Sequence, residues 1–173
     1  MKLLNLSLAS LILVLTFVSP RGSGVAQSGD ELTQSTLHYR ITLDIGPVPT
    51  MLRPDQAASA TEGEVSLAMP GMHMPLLAMP DPGRPANRHI EVAVVDRVTG
   101  ARLRSPVPKI TITDRKTGRS KALQAATPMY DVTEGRGDLH FGDTVYLANG
   151  TYRITVSVGD ERAVFKKVAV GRP

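Results

Sequence analysis

The chain has 173 residues, 20 Lys and Arg against 16 Asp and Glu, a formal charge of +4, and neither Cys nor Trp. The lack of cysteine excludes a disulfide scaffold, a Cys-ligated zinc or iron–sulfur site, a thiol nucleophile and a lipoprotein anchor. With 15 Gly and 13 Pro a helical bundle is not expected, and basic residues scattered among acids without interleaved aromatics give no nucleic-acid signature.

Lys2 precedes an uncharged apolar run from Leu3 to Val18. Ser19-Pro20 breaks that run, and Gly24-Val25-Ala26 is a small-residue tract suited to signal peptidase. The run is shorter than the ~20 residues that span a bilayer, so residues 1–26 are predicted to be a cleaved signal peptide. Export to the periplasm follows, with full secretion as the alternative. Residues 27–36 are polar and predict a flexible leader, and residues 37–173 predict a single domain.

Leu37, Tyr39, Ile41, Leu43 and Ile45 alternate with polar residues, the period of a half-buried strand. Asp55 to Ala60 predicts one short helical turn, and Glu64 to Met69 a second strand. Residues 69–85 then form a Met-rich segment whose five prolines forbid a helix or central strand and predict a loop. From His89 onward, extended segments predicted at His89–Asp96, Lys109–Asp114 and Lys121–Ala126 are separated by turns ending at Gly100 and Gly118. Residues 127–137 predict a loop and Asp138–Leu147 another strand. Asn149-Gly150 predicts a hairpin into Tyr152–Val158, and Gly159-Asp160 turns the chain into Ala163–Val170. The pattern predicts an all-β, immunoglobulin-like antiparallel β-sandwich of seven to eight strands. Its core is expected to hold Tyr39, Ile41, Leu43, Ile90, Val92, Val94, Ile110, Ile112, Ile154 and Val156.

No Gly-x-Ser-x-Gly elbow, His-Glu-x-x-His or phosphate loop is present, so no enzymatic activity is expected. The chemistry that remains is soft-metal ligation. Met72, His73 and Met74, between Met69 and Met79, offer thioethers that select Cu(I) and an imidazole that serves both copper oxidation states. The alternative is that these methionines are adaptable apolar filler. His89 and Glu91 share a strand face because residues two apart align. Met129 and His140 flank a loop.

The run Pro128-Met129, then Gly137-Asp138-Leu139-His140-Phe141-Gly142-Asp143, then Asn149-Gly150-Thr151-Tyr152 through Val156 resembles the small periplasmic iron-transport proteins. His89-Ile90-Glu91 resembles the His-x-Glu that this family carries on an early strand, and the likeness spans residues 88–158. The resemblance implies an immunoglobulin-like sandwich that binds copper, Cu(I) or Cu(II), and takes part in iron uptake. Its ligands would be His89, Met129 and His140, with Glu91 as an accessory ligand that could also take iron. The family completes its site with a histidine near the C-terminus, whereas residues 141–173 contain none. Either the site lacks that ligand or Met72, His73 or Met74 fills the position. A carrier in periplasmic metal handling is therefore expected, delivering to a membrane permease or another periplasmic protein. The rival is a metal-free interaction module that docks a partner chain. Because ligation needs neutral imidazole, copper affinity is expected to fall below pH ~6.

Overall fold

The computed structural model describes residues 32–67, 84–123 and 126–171. The predicted signal peptide, most of the Met-rich segment and residues 27–31 of the predicted leader lie outside them. The described residues form eleven strands and no helix. These are β1 (Leu32–Ser35), β2 (Tyr39–Gly46), β3 (Met51–Leu52), β4 (Glu64–Ser66), β5 (Arg88–Asp96) and β6 (Lys109–Asp114), then β7 (Ser120–Ala122), β8 (Thr127–Asp131), β9 (His140–Val145), β10 (Gly150–Val158) and β11 (Glu161–Val170). A seven-stranded sheet has the order β1-β2-β5-β9-β8-β4-β3, and a four-stranded sheet the order β11-β10-β6-β7. The architecture is an open, two-sheet β-sandwich. Its strand pairs are antiparallel except β3 with β4, which run parallel.

Period-two alternation builds the core. Ile41 and Leu43 of β2, Ile90, Val92 and Val94 of β5, Ile110 and Ile112 of β6, and Ile154 and Val156 of β10 are all buried in one cluster. Tyr39 is half-buried at its margin. Leu37, expected to begin this alternation, is 76% exposed, because β2 starts only at Tyr39. Ile154 is fully enclosed. Truncating it should cost ~2–5 kcal/mol, as for other buried Ile→Ala changes. Chemical denaturation of Ile154→Ala measures this, and a loss below ~1 kcal/mol would mean that the β10 faces are inverted.

Three tight turns repeat one solution. Asp96 and Asp114 each accept two backbone N–H groups of the turn that follows and Asp131 accepts one, and Gly100, Gly118 and Gly135 donate back to the aspartate carbonyls at 2.8–2.9 Å. Each glycine has φ between 72° and 74°, the left-handed conformation that glycine adopts without steric cost.

Four expectations are corrected. The chain has more strands than the expected seven to eight, because short edge strands and β8 carry too little alternation to be read. Leu32–Ser35, assigned to the leader, pairs with β2 from Leu32↔Leu43 to Ser35↔Arg40. Asn149-Gly150 is not a hairpin turn. β9 belongs to the seven-stranded sheet and β10 to the four-stranded one, so this dipeptide lies on a crossover between layers, and the Tyr152 hydroxyl donates to the Ala148 carbonyl at 2.8 Å there. Residues 54–59 form successive turns closed by hydrogen bonds three residues apart, not a helix.

Candidate metal centre

The register of the seven-stranded sheet brings the chemistry together. Glu91 lies opposite Gly142, His89 opposite Thr144, Met129 opposite His140, and Ser66 opposite Met129. Directly opposed residues share a face, and so do alternate residues along a strand. Glu64, His89, Glu91, Met129 and His140 therefore lie on one face, opposite to that of Ile90, Val92 and Phe141. This is the outer face of the sandwich, yet Glu64, His89 and His140 are only 3%, 1% and 3% exposed.

The donor atoms converge. One ligand atom each from Glu64, His89, Glu91 and His140 lies within 4.8 Å of all the others. Glu64 Oε2 stands 3.1 Å from His89 Nε2 and 3.6 Å from His140 Nε2. These spacings suit ligands on a common ion with bonds of ~2.0–2.2 Å. Despite that proximity, none of the three atoms makes an aligned hydrogen bond, and all three are shielded from solvent. Buried polar atoms outside aligned hydrogen bonds are uncommon and costly, so three aimed at one another require an explanation. A cation between them would satisfy all three at once.

Gly142 makes room for this convergence. A Cβ there would stand 2.6 Å from His89 Nε2 and 2.7 Å from Met129 Sδ, so imidazole and thioether occupy the space that any other residue would fill. The thioether therefore sits beside the His89 imidazole.

His140 is held from behind. Its Nδ1 lies 3.0 Å from the Asp138 carbonyl, which can only accept, so Nδ1 carries a hydrogen and Nε2 is turned to the site. The Asp138 carboxylate lies 3.4 Å from the same nitrogen and is braced by Arg102 at 3.1 Å. Burial opposes the His140 charge, but the carboxylates of Asp138, Glu64 and Glu91 overcome it and raise the imidazole pKa to about 10. Burial likewise opposes ionisation of Glu64, and the His140 and His89 imidazoles reverse this, lowering its pKa to about 2. Glu91 is half-buried. Desolvation, helped by the charges of Glu64 and Asp44, holds its carboxyl above the ordinary value against the pull of His140 and His89.

The metal-free site at neutral pH is thus an imidazolium facing a carboxylate. The raised His140 pKa stabilises the fold fully below pH ~6.5, and that contribution is lost as pH rises toward about 10. The depressed Glu64 pKa stabilises the fold above pH ~4.5, and that contribution is lost as pH falls toward about 2. NMR titration of metal-free protein should find His140 protonated well above pH 7. Glu64→Gln should lower its pKa, and a His140 that titrates near 6.5 in both proteins would contradict this electrostatic picture.

Of the residues expected to ligate metal, the structure brings together His89, Glu91, Met129 and His140. Met72, His73 and Met74 lie outside the described residues. Glu64 was not expected. No motif marks it, because it joins the others only through the pairing of β4 with β8. The expected pH dependence also changes, since the His140 proton is held far more tightly than that of a free imidazole. No protein-family model, curated protein or solved structure matches this chain.

Proposed function

We propose that the protein is an exported copper carrier of the periplasm, holding its ion on Glu64, His89 and His140 with Met129 and Glu91 alongside. The observation that carries this reading is the convergence of three buried donor atoms, none of them in an aligned hydrogen bond. Imidazole serves both copper oxidation states, and the adjacent thioether favours Cu(I). Two carboxylates in the same cluster are hard donors, which supports iron as a second cargo. The resemblance to the periplasmic iron-transport family supports the same role, with transfer to a permease or another periplasmic protein as its outcome.

Elemental analysis of protein isolated from the exported fraction tests the proposal. The expected result is stoichiometric copper on a chain that begins at Gln27. Metal-free protein that also fails to take up copper or iron on titration would leave the interaction-module reading. A chain still beginning at Met1 would overturn the export assignment.

A further inference from the structure

The outer face of the four-stranded sheet concentrates positive charge that the copper reading does not use. Arg115, Arg153, Arg162, Lys166 and Lys167 surround an open concavity of about 400 Å³. All five are exposed, and none forms an ion pair with another described residue. The β10–β11 register explains the density of charge. Tyr152 pairs with Val168 and Ile154 with Phe165, so two residues, Lys166 and Lys167, face the single Arg153 across a β-bulge. Strict alternation would turn one lysine inward. The bulge keeps both outward while Phe165 and Val168 stay buried.

Between the cations the floor is short. Thr155 pairs with Val164, both half-buried, and Arg162 pairs with Ser157 further along. Arg162 and Lys166 are four residues apart on β11, ~13 Å at the rise of a strand, so positive charge stands at both ends of the floor. The outward β6 partners of this face are Thr113, Thr111 and Lys109, none of them acidic. Glu161 beside it is engaged by His38, and Asp114 by the turn that follows it.

We propose that this concavity binds a small oligophosphate anion. Its volume lies in the ~300–1,000 Å³ range of small-molecule sites. Arginine forks and lysine ammonium groups together match closely spaced phosphates, the first bidentately and the second as point charges. The lining holds no aromatic residue on which a nucleic-acid base could stack and only Val164 as an apolar contact for a membrane. The proposal is independent of the metal centre, which lies on the other sheet.

Calorimetric titration of the exported protein with inorganic tripolyphosphate tests it, with citrate and phosphatidylglycerol vesicles as parallel probes. Tripolyphosphate should bind one-to-one and more weakly as salt is raised. Arg153→Ala/Lys166→Ala should weaken it about tenfold or more, the loss expected when charge-assisted contacts are removed. Arg40→Ala/Arg104→Ala removes the same charge from exposed positions elsewhere and should bind as wild type, and copper binding should be unchanged in both. Equal affinity in the two double variants, a preference for citrate, or binding to vesicles without binding to tripolyphosphate would overturn the proposal.

Discussion

Copper should bind His140→Ala about a hundredfold or more weakly than wild type, because the substitution removes a proposed ligand whose orientation is fixed in advance. The Asp138 carbonyl holds Nδ1, leaving Nε2 directed at Glu64, and loss of merely supporting contacts around metal ligands already costs ~10–100-fold. The pH dependence distinguishes ligation from a general structural effect. In wild type the ion must displace the proton that His140 holds up to about pH 10. Affinity should therefore rise about tenfold per pH unit between pH 6 and 9, with one proton released per ion. In His140→Ala that dependence should flatten. Met129→Leu should weaken Cu(I) in preference to Cu(II), because it exchanges a thioether for an alkyl group of similar volume. Direct copper titrations at several pH values read all three effects. Equal slopes in wild type and His140→Ala would remove His140 from the ligand set.

Gly142→Ala should destroy the same site without replacing any donor residue. The added methyl would stand 2.6 Å from His89 Nε2, 2.7 Å from His89 Cε1 and 2.7 Å from Met129 Sδ. His89 is 1% exposed and Met129 4%, so neither can swing into solvent without disturbing its surroundings. Forcing atoms into a packed region typically costs ~1–3 kcal/mol. The imidazole must also leave the position that brings it to Glu64, so copper affinity should fall about as far as in His140→Ala. Gly137 has nothing within 4 Å of its own added Cβ, and Gly137→Ala should leave both properties unchanged. Thermal unfolding of metal-free protein and copper titration read the two consequences separately. Wild-type copper affinity in Gly142→Ala would mean that His89 and Met129 do not need the space that glycine leaves.

Most of the sandwich core was legible because β2, β5, β6 and β10 alternate apolar and polar residues over enough length to define a face. β8 was not legible. Pro128 lacks the N–H of a ladder residue and argues against a strand, yet Met129 pairs with His140 and Pro128 with Phe141. β1 was missed because only Leu32 of its four residues is apolar, and part of its attachment to β2 is a polar contact, Thr33 Oγ1 to Thr42 Oγ1 at 3.1 Å. The same distinction runs through the site. His89 with Glu91 and Met129 with His140 carry local signals, a strand face in one case and a short motif in the other. Glu64 carries none, since a carboxylate on a three-residue strand becomes a candidate ligand only once the sheet order places β4 beside β8. Gly142 likewise gains its role only when His89 and Met129 arrive over it from neighbouring strands.

His89, His140 and Glu64 are proposed to bind one ion together. Electron paramagnetic resonance of the purified protein loaded with one equivalent of Cu(II) tests this most directly, because imidazole nitrogens leave a hyperfine signature on the copper. Two coupled imidazoles are expected in wild type, one in His89→Ala and one in His140→Ala, with an altered spectrum in Glu64→Gln. A copper signal without imidazole coupling, or one unchanged by all three substitutions, would contradict the account.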